Sequence, residues 1–571
     1  MAQRLRPIYI VHNTQGTEKA LSILESLDKT KNPKEAEKRV CKVFEYLIST
    51  TTLNMMKLVL VFVLVGLTLR SVSSAFQCSS FDQSTLFTAA NTVITNAEKE
   101  LMKSGLFDRV YSGWAVTVVN STTGEAMGGG TNPLGIYQTY FFDGTQVIGS
   151  DFCAAVPACS AAGGSGALSC HVRCNPAKNN TVSSFALGPA DAIVFTGCTA
   201  PSVSYFGWDM YIEARITEQY PFYPGQNFGD AFNNQDIEGG SMFNTPISVV
   251  QSADKAVIDA ITKVYSAAGT PVYAHPIDGN NARLWDRSVG WEVSKPDVLS
   301  TIIRASVPQS GFSPTSDFTK YQKLAWPVRF YMAPDGKKAQ DPYVAVLKSR
   351  AVDAQGTPLP SQPAALGAAL QALESGIVQT QNAEGYKFID KFTLNGTATG
   401  FYDDWNQILS QSSNATFILP TRDGLYGVPQ ASLGMYYANT TYTLIGALQP
   451  SAAYHEVMIS IFDIVQKKVA ALITLLDSDL QGSADRYLQS TPYANSAAAN
   501  ALFAIDIRLY GQCRGAAFCV ELPKDNSPKV NGISTTLLEL GERVYALKET
   551  SIGADASLTI LSTMISFQKA V

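Results

Sequence analysis

Beyond residue 75 the sequence has no run of basic residues and no acidic tail. Without clustered Lys and Arg there is nothing to neutralise a phosphate backbone or an anionic membrane surface, so neither is an expected partner. The chain also lacks a P-loop, a dinucleotide fingerprint after a strand, an H-E-x-x-H pair and an EF-hand loop, so no nucleotide or metal cofactor is indicated. No repeat of 20 to 50 residues marks a solenoid or propeller, and no low-complexity tract is long enough for a disordered stalk. No further stretch reads as an integral membrane span.

What is present begins with Lys57 to Ala75, KLVLVFVLVGLTLRSVSSA. A positive residue, about a dozen apolar residues and a small-residue Ser73-Ser74-Ala75 site fall in the order of a secretory signal peptide. A bilayer span needs about 20 apolar residues, and Arg70 interrupts this run well short of that. Cleavage after Ala75 is therefore expected, with translation starting at Met55 or Met56 and residues 1–54 a non-native upstream extension. That extension carries a charged segment, Thr17 to Tyr46, with the spacing of a short amphipathic helix. The chain after Ala75 then carries 32 basic and 42 acidic residues, a net charge of −10. The expected location is secreted or extracellular. Ser-Ser-Ala followed by Phe76 also resembles the bipartite plastid-entry signals of algae with secondary plastids, which makes a plastid or other endomembrane compartment the alternative. Residues 76–97 lack the basic residues such a segment needs.

Eight cysteines follow the leader: Cys78, Cys153, Cys159, Cys170, Cys174, Cys198, Cys513 and Cys519. An even number in an exported chain predicts disulfides, with a stapled loop across the Gly, Ala and Ser-rich stretch from Cys153 to Cys198. Cys170 and Cys174 flank His171, but no second ligand pair at zinc-site spacing follows, so no metal site is expected. Sequons at Asn120, Asn179, Asn395, Asn414 and Asn439 allow N-glycans after secretion.

The fold class expected is mixed: a layered α/β N-terminal half, 76–359, with at least some parallel sheet, then an α+β C-terminal half, 360–571. Asp82 caps a predicted helix with Leu86, Ala90, Val93, Ile94, Ala97 and Leu101 on one face, ended by Gly105. Trp114 to Val119 and Tyr137 to Phe142 read as strands. Two strand-then-helix units are predicted next. Asp191 to Thr196 runs into a helix over Ser202 to Arg215, and Ile247 to Val250 runs into a helix capped by Ser252 and ended by Gly269. An extended Val272 to His275 follows, as in a parallel crossover. Leu324 to Met332 and Tyr343 to Val352 are expected to form a hairpin around Pro334-Asp335-Gly336. The polar, Pro-rich 353–363 marks a boundary near 360, after which Leu366, Leu370 and Leu373 resume helical spacing. In the second half Thr416 to Leu419, Met435 to Leu448 and Leu502 to Tyr510 are strand candidates, the last with alternation that predicts one wetted face. His455 to Leu480 suggests a strand followed by a buried helix.

In open parallel sheets ligands bind beyond the carboxyl ends of the strands. That rule nominates His275 as acid or base with Asp254 orienting it and Ser252 beside them, and Thr196, Thr199 and Gln251 as substrate contacts. Ser252 and Asp254 as plain helix caps, with His275 a loop histidine, is the competing reading. Three further patterns carry less. Gly163 to Ala167 nearly fits G-x-S-x-G but lacks the flanking strand and helix of a nucleophile elbow. Gly511-Gln512-Cys513-Arg514-Gly515 after a strand, with His455 upstream, is similar to the caspase arrangement, but departs from its Q-A-C, and Cys519 is near enough to take Cys513 into a disulfide. Asp403-Asp404 between Tyr402 and Trp405 suggests paired carboxyls, though neighbours in sequence rarely face each other across a bond. The functional expectation is a hydrolase with its pocket at the strand ends, or a non-catalytic secreted or cell-surface binding glycoprotein, the ligand being a small molecule or glycan in either case.

Overall fold

The computed structural model describes residues 76–78, 81–120, 134–143, 147, 181–216, 221–222, 226–237, 241–348, 365–394, 422–427, 440–463, 468–524, 529–530, 533–534, 536–547, 553 and 559–569. The signal stretch, Cys153, Cys159, Cys170 and Cys174, the near G-x-S-x-G motif, Asp403-Asp404, Thr416 to Leu419 and the sequons at Asn179, Asn395, Asn414 and Asn439 lie outside them. Asn120 closes the first strand. No helix among the described residues is long and apolar enough to cross a membrane.

The chain is a mixed α+β protein dominated by strands. The first module opens with α1, Gln83–Lys103, capped by Asp82, whose carboxylate accepts from the Thr85 amide. It ends at Gly105, φ +69, a left-handed position that suits glycine. Strands β1 Arg109–Asn120, β2 Gly135–Asp143, β3 Ala192–Cys198 and β4 Val203–Ile216 follow. Then come β5 Pro246–Ser252, α2 Lys255–Ala267, β6 Val272–Ala274, β7 Val298–Pro308 and β8 Trp326–Met332. The sheet runs β6-β5-β3-β8-β1-β2-β7-β4 and continues into short strands beyond β4. Among the described strands of this module β5 and β6 alone pair in parallel, across α2, as that spacing predicts. Helices α1 and α2 cover one face through Val93, Ile94, Ala97, Val257, Ile258 and Ile261. Cys78 and Cys198 form a disulfide that ties the start of α1 to the end of β3.

Two expectations fail here. Ser202 to Arg215 is strand β4, antiparallel to β7, and not a helix. Its Tyr, Phe, Trp and Ile side chains favour a pleated surface. Nearly every described position is buried, so the two-residue alternation that would have revealed a strand is missing. The described part of the expected Tyr343 to Val352 strand, residues 343–348, does not return as a hairpin strand. The turn exists, with Lys337 N donating to Pro334 O at 3.0 Å, but both edges of β8 are already taken by β1 and β3. Residues 343–348 instead run as a strap. The amides of Gln340 and Asp341 donate to Asp254, that of Ala345 to Asp278 and that of Lys348 to Asp230.

The second module opens with α3, Ala365–Ala383, then β9 Tyr386–Thr393, β10 Gly424–Gly427, β11 Thr440–Ala447, β12 Ala452–Asp463 and β13 Lys468–Leu476. Strands β14 Leu502–Arg508, β15 Cys519–Glu521, β16 Thr536–Leu547 and β17 Thr563–Lys569 complete it. His455 to Leu480 is therefore a hairpin and one short helical turn, not a strand and a buried helix. Val457, Ile459 and Ile461 alternate into the core, and the β-branched residues suit a strand. Strand β14 has no wetted face. Phe503, Ile505 and Ile507 enter one core, and Leu502 and Ala504 enter another under α3. The charged Asp506 is buried with bonds from Thr443 and Tyr487.

The two modules repeat one topology. In the first, β1·β8·β3·β5·β6 are neighbours in that order, and in the second, β9·β17·β11·β14·β15. In both series every pair is antiparallel except the last. The remaining strands match as β2·β7·β4 and β10·β16·β12, all antiparallel. Each series follows a long helix. In the first module β1 pairs with β2 and joins the two parts into one sheet; among the described residues the second module keeps them as separate sheets.

Candidate functional site

Of the nominated residues, Gln251, Ser252, Asp254 and His275 lie at the carboxyl end of β5, whereas Thr196 and Thr199 lie toward its amino end, because β3 runs antiparallel to β5 and pairs Thr196 with Ser248. Gln251 and His275 share one environment: His275 Nδ1 lies 3.0 Å from Gln251 Nε2, and Thr301 Oγ1 donates to Gln251 Oε1 at 3.1 Å. Gln251 donating to Nδ1 leaves the proton on Nε2, which faces Asp230 O at 3.2 Å. Burial pushes the imidazole down to about 4, so at neutral pH it is uncharged. Ser252 donates to Asp191 O at 2.6 Å, Thr196 and Ser248 hydroxyls meet at 3.1 Å, and Thr199 accepts from Thr245 N at 2.9 Å.

Asp254, and not Ser252, caps α2. It accepts from the amides of Ala256 and Asp341 on one oxygen and of Gln340 on the other. Those bonds fix the strap across the strand end and leave Asp254 no role in orienting His275.

A small open cleft lies at the same end of the sheet, beside β8 and the start of β3. Its floor is Asp191, whose oxygens receive the Arg287 guanidinium and the amides of Gly188 and Ala333. Arg287 lies 4.7 Å over the Trp285 ring, and Trp291 meets that ring edge-on at 5.2 Å. The buried Arg287 Nε and Trp285 Nε1 have no hydrogen-bond partner among the described residues. Lys337 and Lys338, from the Pro334 turn, stand exposed on the rim. Asp286, opposite, is held below the usual carboxylate range by bonds from Ser288. With Asp191 neutralised by Arg287, the rim has two lysines against one carboxylate.

Sequence reasoning put Ser252, Asp254 and His275 at this end but named none of Trp285, Arg287, Lys337 and Lys338. The signal available was the Lys pair directly after the flagged Pro-Asp-Gly turn. Trp285 and Arg287 sit in an irregular segment that no periodicity describes.

A second constellation lies where the modules meet, and it obeys their repeat. Tyr137 on β2 is opposite Arg304 on β7; Tyr426 on β10 is opposite Arg543 on β16. The guanidinium lies 5.6 Å from the ring centroid in the first pair and 5.7 Å in the second. Arg304 binds Asp209 at 3.0 Å and Arg543 binds Glu456 at 3.0 Å. Tyr205 of β4 and its counterpart Tyr454 of β12 pack with Tyr545 into one aromatic cluster, and the Tyr205 hydroxyl donates to Asp423. Burial and the nearby Asp209 raise the Asp423 carboxyl well above its ordinary range. In the second module His455 bridges Asp477 at 2.7 Å and Glu542 at 2.8 Å. Burial alone would lower its pKa, but the two carboxylates hold it up at about 9.

Cys513 and Cys519 are joined, so Cys513 holds no thiolate for caspase-like chemistry. No protein-family model matches the sequence, and no curated protein matches it. Among solved structures, an uncharacterized protein from Burkholderia cenocepacia aligns over 87% of this chain and 92% of its own, at 10% identity and a TM-score of 0.32. A score that low carries no argument about fold or function.

Proposed function

We propose that the chain is a secreted, disulfide-bonded binding protein that takes a small molecule or glycan bearing an anionic group in the Trp285–Lys338 cleft. The observation that carries this reading is the cleft itself: an Asp191–Arg287 floor beside Trp285, with Arg287 Nε and Trp285 Nε1 buried and without a hydrogen-bond partner among the described residues, under a rim that carries the exposed Lys337 and Lys338. Concave sites with a few convergent polar groups are where small ligands bind. The hydrolase alternative draws less support. A general base must reach a substrate proton, and His275 is buried, is bonded through both ring nitrogens and has no carboxylate bonded to it.

The test is calorimetry of the full secreted chain against a panel of neutral, carboxylated and sulfated oligosaccharides, alongside chromogenic esters and glycosides. Saturable binding without turnover, weakened at least tenfold in Lys337→Ala/Lys338→Ala, supports the reading. Turnover that His275→Gln abolishes without unfolding the protein replaces it with the hydrolase. Secretion is tested by intact mass and N-terminal sequencing of the native protein, a start at Phe76 being the expected result.

A further inference from the structure

Strand β9 is the edge of its sheet: it pairs with β17 and, among the described strands, with nothing on its other side. Its counterpart in the first module, β1, has that second edge closed by β2. The position is therefore one where this fold accommodates a further strand. Residues 387–391 are exposed, and Phe388 and Ile389 keep 46% and 49% of their surface open to solvent. Two adjacent large apolar side chains on an unpaired edge invite another strand.

In an uninterrupted strand successive residues alternate between faces, so Lys387 and Asp390, three apart, would point to opposite sides. A bulge at Ile389 changes this. Phe388 is opposite Phe567 and Asp390 is opposite Ser566, so two steps along β9 match one along β17. Lys387 and Asp390 consequently share one face, opposite Gln568 and Ser566, while Tyr386, Phe388 and Lys391 share the other. The Phe388 and Phe567 rings meet edge-on at 6.3 Å on that second face, where Lys391 also binds Glu374 of α3 at 2.7 Å.

This arrangement is self-complementary. Turned about a two-fold axis between Phe388 and Ile389, a second copy of β9 runs antiparallel to the first. Lys387 then stands opposite Asp390 of the second copy, and Asp390 opposite its Lys387. Residues opposed in an antiparallel pair lie on the same face, a condition that these two meet only because of the bulge. Phe388 and Ile389 of both copies come together at the centre, and Tyr386 lies against the aliphatic stem of Lys391. With the Lys391 charge engaged by Glu374, the two charges left on the strand each face their opposite. Charges that guard an edge strand do so by repelling an approaching copy, and here they attract one.

We infer that β9 is the interface of a symmetric dimer, in which the edges of two copies pair antiparallel and two reciprocal Lys387–Asp390 contacts fix the register. The partner is a second copy of this chain, and the inference is independent of the cleft.

The test is sedimentation of the full secreted chain over a dilution series. The parent should sediment as a dimer that dissociates on dilution. Lys387→Asp and Asp390→Lys each set like charges opposite one another at two places and should weaken the dimer at least about tenfold. Lys387→Asp/Asp390→Lys restores the opposition with the signs exchanged and should return the Kd to within about threefold of the parent. Unchanged far-UV spectra in all three variants show that the single chain still folds. A parent that is monomeric throughout overturns the inference. So does a dimer insensitive to both single variants, which puts the interface elsewhere, and so does a double variant no tighter than the singles, which shows that the two residues do not face each other.

Discussion

The two modules share a strand order but not a chemistry, and the difference falls at matching places. At the carboxyl end of β5 the first module has a helix, a strap tied down by three aspartates and a cleft. At the carboxyl end of β14 the second has a bare disulfide loop. The histidines differ in the same way. His275 is buried against amide groups and kept neutral, whereas His455 is buried between two carboxylates and kept charged. Backbone ladders fix topology whatever side chains they carry, so a repeated strand order leaves the loops and buried pairs free to diverge. What both modules retain is the Tyr–Arg–carboxylate set where they meet, which suggests that their contact is the constrained feature.

The disulfides give the largest way to break this comparison. In the chain-entropy account, stabilisation grows with the loop that is closed. Cys78–Cys198 spans 120 residues and Cys513–Cys519 only 6. Replacing the first pair with serines should cost about 5 kcal/mol and the second about 2 kcal/mol, read from urea denaturation midpoints. Equal losses would mean that native packing, not loop closure, sets their value.

The inter-module set comes next. Arg304→Met removes the guanidinium bonded to Asp209 and Arg543→Met the one bonded to Glu456, each a buried carboxylate left with weaker partners. Each should lose about 3–5 kcal/mol. Near-equal losses sharpen the equivalence of the two positions; a large disparity breaks it.

How much of this was legible follows from which signals survive burial. Helix α1 was readable because one face is wet, so Leu86 to Leu101 kept a 3.6-residue period. Strand β4 was not, because it is buried on both faces and its aromatics fell by chance at helical spacing. The repeat was invisible because it conserves strand pairing and not sequence; little beyond Gly135-Ile136-Tyr137 and Gly424-Leu425-Tyr426 echoes between the modules. The site was half legible. The rule of strand carboxyl ends put Ser252, Asp254 and His275 at the end of the sheet where the cleft lies and Thr196 and Thr199 at the other, because β3 and β5 are antiparallel, and the cleft's Trp285 and Arg287 come from a segment with no regular element. Asp254 was chosen for chemistry although its place before α2 makes it a cap.

The histidines predict opposite pH limbs of somewhat smaller size. His455 has its folded pKa raised from 6.5 to about 9, so its contribution is complete below pH 6.5 and is lost as pH rises through 9. His275 has its folded pKa lowered to about 4, so the unfolded chain binds a proton that the folded one refuses. Its contribution is complete above pH 6.5 and is lost as pH falls toward 4. Each is on the order of 3 kcal/mol from the size of its shift. Amide exchange should therefore show β5 and β6 loosening first in acid and β12 and β16 first in base. His275→Gln should flatten the acid limb alone and His455→Gln the alkaline limb alone.

The smallest effect separates cap from catalyst. Asp254→Asn keeps one oxygen to accept amide hydrogens, while Asp254→Ala orphans the amides of Ala256, Gln340 and Asp341 together. Alanine should cost about 1–2 kcal/mol, the usual value of a lost helix cap, and asparagine a few tenths at most, since Asn caps about as well as Asp. The second module has no equivalent residue: its crossover carries no helix, and Tyr510 stands two residues beyond β14 just as Asp254 stands two beyond β5. Tyr510→Ala should therefore leave the Tm within a degree of the parent. If it destabilises as much as Asp254→Ala, the loop is tied into the second module as firmly as the strap into the first, and the contrast between a fastened and an open sheet end fails.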